Sequence, residues 1–210
     1  MNKCETLNLT IQRLCNSTGL LPPEYQQVEW IGAREYDYID TGIIIPSNYE
    51  RLEIKINSLS NSSNWRYFGT WSGNCSILGY HNAGPGPLDQ LWVGNNEFTA
   101  AATQTNTVYS IDLTADNGYL TGVYCGETID RTYTGTVSTG VSECIFYQRG
   151  KGCYANVYYY RLHTSAGLVR DMVPCYRKSD SKTGMYDLVS NTFFTDAGKW
   201  NMNFEKGADV

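Results

Sequence analysis

Trp65, Trp71, Tyr80, His81, Asp89 and Trp92 crowd into one short stretch of the chain. A sugar offers C–H faces that settle against aromatic rings, and hydroxyls that bond to carboxylate, imidazole or phenol groups. This set supplies both kinds of partner, and we take it as a candidate saccharide-binding site. Residues 57–65 and 81–90 read as loops by composition, the second through its Gly-Pro-Gly-Pro run, and both are flanked by tryptophan.

Other chemistries find less support. Glycoside cleavage needs paired carboxylates, which a strand supplies at alternate positions, but Glu53 is followed at those positions by Lys55 and Asn57. There is no Gly-x-Ser-x-Gly elbow, and His163 lies in a strand pattern between Leu162 and Thr164. Arg149-Gly150-Lys151-Gly152 lacks phosphate-loop spacing and reads as a turn. With two histidines and no Cys-x-x-Cys pair, zinc is not expected. Calcium is the one ion worth weighing, yet Asp89, Asp116 and Asp130 are isolated, with no run of alternating oxygen ligands. The expectation is a non-enzymatic chain without metal or cofactor.

The net charge of −5 and pI near 5.0 provide no basic field for a nucleic acid. Only 18% of residues are charged, so the surface draws its polarity from Asn, Ser, Thr, Gln and Tyr, which suits hydrogen-bonding recognition. Seven cysteines leave one over in any disulfide scheme, and a domain of this length does not need such staples; reduced thiols are expected. The N-terminal residues lack the apolar run of a secretory signal, and no stretch approaches the roughly 20 apolar residues of a membrane span. Synthesis in a cytoplasm, without membrane insertion, is the expectation.

Strands must position the candidate site. Leu52, Ile54 and Ile56 alternate with Arg51, Glu53 and Lys55, the signature of a strand with one buried face. Tyr109, Ile111 and Leu113 repeat the pattern and run into Asp116-Asn117-Gly118, which supplies the positive φ angles of a tight hairpin over residues 107–125. A further strand groups Val157, Tyr159 and Arg161 against Tyr158, Tyr160 and Leu162 and is entered through Gly150-Lys151-Gly152. About a dozen such strands, without helices between them, predict an all-β, two-sheet antiparallel sandwich or jelly roll spanning 21–210. Ahead of it, residues 1–20 place Leu7, Ile11 and Leu14 on an a/d stripe, a short helical or extended arm that Pro22-Pro23 terminates.

Leu21-Pro22-Pro23-Glu24-Tyr25-Gln26-Gln27-Val28-Glu29-Trp30-Ile31 and Tyr38-Ile39-Asp40-Thr41-Gly42 resemble the opening of concanavalin A-like (laminin-G-like) domains of phage tail-associated and gut-bacterial surface proteins. Residues 168–178, then Gly184-Met185-Tyr186-Asp187-Leu188-Val189 and Phe193-Phe194, are similar to the closing strands of the same group. Residues 31–37 depart from its pattern, and 57–100 match nothing in it, which directs attention to that middle for ligand specificity. The resemblance implies a bacteriophage virion protein of head-fibre, decoration or tail-fibre type. Residues 1–20 would attach it to other virion proteins or build a homo-oligomer, dimer or trimer, while the sandwich meets cell-surface polysaccharide. A stand-alone bacterial surface glycan-binding module is the alternative, and a glycosidase the third reading.

Overall fold

The computed structural model describes residues 21–34, 36–59, 65–70, 72, 75–82, 88–100, 104–146, 153–198 and 203–210, with the backbone alone for Trp65, Tyr80, His81, Asn82 and Leu88. Leu7, Ile11, Leu14 and Trp71 lie outside these residues, as does the Gly150-Lys151-Gly152 turn. The described chain opens with β1 (Tyr25–Gln27), β2 (Ile31–Ala33), β3 (Ile39–Asp40), β4 (Tyr49–Ser58) and β5 (Trp65–Gly69). It continues through β6 (Cys75–Asn82), β7 (Leu88–Gly94), β8 (Asn96–Ala100), β9 (Val108–Asp116), β10 (Tyr119–Tyr124) and β11 (Glu127–Thr132). It closes with β12 (Cys144–Ile145), β13 (Ala155–Thr164), β14 (Gly167–Arg177), β15 (Lys182–Asp187), β16 (Thr192–Phe194) and β17 (Glu205–Lys206).

These strands form two antiparallel sheets. The larger runs β11-β10-β9-β4-β13-β14-β15-β16, with β1 beside β14 and β2 bridging β13 to β17; the smaller runs β3-β12-β5-β6-β7-β8. The fold is an all-β sandwich, as the sequence predicts. Its core forms where the inner faces meet, with Leu52, Ile54, Ile111, Leu113 and Leu162 of the large sheet opposite Phe68, Ile77, Leu91, Val93 and Ile145 of the small one. Polar contacts bolt the faces together: the Tyr67 hydroxyl donates to Ser58 Oγ at 3.0 Å, and that of Tyr124 donates to Asp89 Oδ2 at 3.0 Å.

β4 alternates as its sequence predicts, with Leu52, Ile54 and Ile56 buried. Asn117 and Gly118 adopt φ of 45° and 93° and join β9 to β10 in the expected tight hairpin. β13 differs from its expectation. Val157 pairs with Ile56 and Tyr159 with Lys55, so Tyr158 is an extra residue, and the bulge reverses the parity of the strand. Val157 therefore points inward with Tyr160 and Leu162 rather than outward with Tyr159 and Arg161.

The two blocks that carry the family resemblance pack against each other. The Tyr25 ring lies 5.0 Å from both Tyr186 and Phe193. The Tyr38 N–H donates to Asp196 Oδ1 at 3.0 Å, and the Val28 N–H to the Pro174 carbonyl at 3.0 Å. These residues build the frame.

Candidate functional site

Of the residues singled out in the sequence, Trp65, Tyr80, His81 and Asp89 come to adjacent rows of three neighbouring strands of the small sheet. His81 and Asp89, read as loop residues, pair with each other across β6 and β7, and His81 also pairs with Trp65 of β5. Tyr80 occupies the next cross-strand row, beside Gln90 and Arg66. The strands extend further than composition indicates because pairing continues up to the Gly-Pro segment. Asp89 is 0% exposed and bonded to Tyr124, so it belongs to the sheet-to-sheet contact and is not presented to a ligand. Trp92 is half-buried on the opposite face of β7, paired with Leu78 and Glu97.

The outer face of the large sheet carries a ladder of charges. Arg51 forks onto Asp112, Nε to Oδ1 at 3.0 Å and Nη2 to Oδ2 at 2.9 Å. Glu53 stands between Arg51 at 3.3 Å, Arg161 at 3.6 Å and His163 at 3.1 Å, and Arg161 continues to Asp171 at 2.9 Å. Opposite charges thus alternate across β9, β4, β13 and β14. The ladder is flat, and its members satisfy one another.

Concave ground lies at one end of the same sheet. β4 is antiparallel to both β9 and β13, so its first residue must meet the last residues of those two strands. Tyr49 thereby comes beside Asp116, while Thr164 and Ser165 arrive from β13 and the turn beyond it. The approach to β4 adds Ser47 and Asn48, and the hairpin turn adds Asn117. Together they line an open groove of about 570 Å³.

Internal bonds fix this groove. The Asn117 N–H donates to the Asn48 carbonyl at 3.0 Å, Asn117 Nδ2 to Asp116 Oδ1 at 2.7 Å, and Ser47 Oγ to Ser165 Oγ at 3.2 Å. Asn48, Asp116, Asn117 and Ser165 are exposed, and Tyr49 is half-buried. The result is one phenol ring ringed by amides, hydroxyls and a single carboxylate, the donor and acceptor set that a neutral saccharide requires.

A second groove, of about 620 Å³, is lined by Tyr25, Phe193, Arg177, Asp180, Lys182 and Asn191, among others. Its guanidinium is already committed. Arg177 forks onto Asp180 at 3.1 and 2.6 Å and lies over the Phe193 ring at 5.7 Å. A ligand would have to break that pair.

Of the residues lining the first groove, the sequence pattern singles out only the Asp116-Asn117 turn. The missed signal was the coincidence of three polar turns at strand ends that antiparallel pairing brings together, and it becomes visible once the order β9-β4-β13 is known.

No family model and no curated protein matches the chain. Among solved structures, it is similar to a candidate carbohydrate-binding protein from Bacteroides ovatus, with a TM-score of 0.58 and 15% identity. That match covers 88% of this chain and 62% of the other, so the chain spans about three-fifths of its length. A galectin from Caenorhabditis elegans matches with a TM-score of 0.40 and 16% identity over 64% of this chain and 95% of its own. The enzymatically active domain of tailspike protein 2 from bacteriophage CBA120 matches with a TM-score of 0.48 and 11% identity over 79% of this chain and 35% of its own.

Proposed function

We propose that this chain is a carbohydrate-binding sandwich of the concanavalin A-like type, which holds a neutral saccharide in the groove around Tyr49, Asp116 and Asn117. The observation that carries the reading is the groove's composition: an aromatic ring beside amides, hydroxyls and one carboxylate, in a concavity fixed by its own hydrogen bonds. The B. ovatus structure, a candidate carbohydrate-binding protein, shares the fold and lends the reading support. Binding without cleavage is part of the proposal. Glu53, the best-placed acidic strand residue on the outer face, is held by two arginines and a histidine.

The motif resemblance extends the proposal to place. We infer a bacteriophage particle on which residues 1–20 attach or oligomerise the chain and the sandwich faces the host's surface polysaccharide. Calorimetric titration with that polysaccharide tests the binding. Saturable binding that is lost in Tyr49→Ala and in Asp116→Ala but kept in Trp92→Ala assigns the saccharide to the groove. Loss in Trp92→Ala alone would move the site to the small sheet, and no binding by the intact chain would end the carbohydrate reading. Mass spectrometry of purified particles tests the virion assignment, which fails if the chain is absent from them.

A further inference from the structure

Glu50 and Glu143 are 0% and 1% exposed, between the two sheets. Glu50 extends the inward face of β4 by one step beyond Leu52. Its Oε2 accepts the Ile77 backbone N–H at 2.9 Å, so a side chain of the large sheet closes onto the backbone of the small one. Glu143, just ahead of β12, accepts the Ser76 hydroxyl on its own Oε2 at 2.9 Å. The two carboxyls thus grip neighbouring residues of β6. The remaining Oε1 of each has no partner, nor does the hydroxyl of fully buried Tyr160 on β13 or that of Tyr133 beyond β11.

An ionised carboxylate deprived of water and without a partner is strongly disfavoured, and two side by side are more so. Burial lifts Glu50 from the usual 4.5 to about 8. Glu143 lies well above the usual range, through burial first and the neighbouring Glu50 second. The titratable groups facing the pair do not neutralise it. Tyr160, Tyr133, Cys75 and Cys144 are all raised by burial and stay uncharged at neutral pH; Arg170 acts on Tyr160, and Arg66 acts on Cys75. Protonation is what lets both carboxyls remain inside.

We propose that Glu50 and Glu143 form a proton-dependent latch between the sheets, closed while the pair is protonated and forced apart as the medium turns alkaline. The folded chain holds protons that the unfolded chain releases above the ordinary glutamate range. Stability is therefore insensitive to the latch below about pH 4.5, falls as pH rises through the window to about 8, and is lowest above it. Glu50 follows Tyr49 and pairs across the strand with Thr164, so the latch lies directly beneath the groove, but the proposal does not depend on what the groove binds.

Thermal melting of the intact chain and of Glu50→Gln, from about pH 5 to about pH 8, tests the latch. Gln keeps an oxygen for the Ile77 N–H and cannot ionise. The wild-type melting temperature should fall by on the order of 10 °C across the window, while Glu50→Gln falls by less than half as much and melts above wild type at the alkaline end. Titration of histidines and other groups is common to both proteins and cancels in the comparison. Parallel slopes, or a flat wild-type profile, would overturn the latch. Should Glu50→Gln not fold, Glu143→Gln is read in the same way, and carbon NMR of the wild-type glutamate carboxyls decides independently: at least one resonance titrating above about pH 7 supports the latch, and none doing so refutes it.

Discussion

Arg170 donates from Nη1 to Oδ2 of Asp187 at 3.3 Å, while its Nε and Nη2 hold the Thr41 carbonyl at 3.0 and 2.7 Å. One side chain thereby joins the Tyr38–Gly42 block near the start of the sandwich to the Met185–Val189 block near its end. Asp187 is 0% exposed and is also bonded by the backbone N–H groups of Asp171, Val189 and Ser190. The node thus ties the two blocks to each other.

Removing the guanidinium should therefore cost more than a surface ion pair. Arg170→Met leaves a buried carboxylate with three backbone donors and the Ser190 hydroxyl but no cation, and frees the Thr41 carbonyl. We predict a loss of about 3 kcal/mol in urea unfolding, with an unchanged denaturant slope. A loss below about 1 kcal/mol would show that the backbone donors and the Ser190 hydroxyl suffice for Asp187.

Val157 gives a test of strand parity. Because Tyr158 bulges, Val157 packs in the core opposite Ile56, and Val157→Thr places a hydroxyl there without changing the shape of the side chain. The cost should be about 1–2 kcal/mol. Uninterrupted alternation would place the residue outward, with almost no cost, so the same denaturation curve distinguishes the two registers.

That bulge also marks the boundary of what the sequence could reveal. Period-two alternation is legible in β4 because one face is buried against a sheet and the other meets water, and Asn117-Gly118 is legible because few residues tolerate its φ angles. A bulge leaves no such mark: Val, Tyr, Tyr, Tyr reads as a strand in either register. Asp89 was misplaced for a related reason. An acidic residue beside a Gly-Pro loop looks exposed, whereas Asp89 is buried and receives the Tyr124 hydroxyl from the other sheet. Glu50 shares the parity of Leu52, so its inward direction was readable, but the second buried carboxyl, Glu143, was not. The groove depends on strand order, which local pattern does not encode.

Two glycines separate backbone strain from steric clash. Gly126, at φ 86° in the turn between β10 and β11, has nothing within 4 Å of where a Cβ would stand. Gly126→Ala should cost about 1 kcal/mol, from the positive φ alone. Gly122, at φ 135°, would place its Cβ 2.0 Å from the Asp112 carbonyl oxygen. Gly122→Ala should cost at least about 3 kcal/mol, because the β9–β10 pairing must open to admit it. Equal losses in chemical denaturation would mean that this pairing yields freely.

The cysteines make the last prediction. Cys75, Cys125, Cys144, Cys153 and Cys175 are free thiols among the described residues. Burial pushes Cys75, Cys144 and Cys175 up to about 12, and Cys125 and Cys153 further still. The thiolate is the reactive form, so a shift of this size leaves about a thousandth of the ordinary thiolate fraction even before access is considered. Maleimide labelling of the native chain near neutral pH, mapped by peptide mass spectrometry, should modify these five at least about 100-fold more slowly than in guanidinium. In guanidinium without reductant, all five should label. If Cys144 and Cys153 alone resisted there, they would be joined in a disulfide, and β12 and the approach to β13 would be tied covalently rather than by packing.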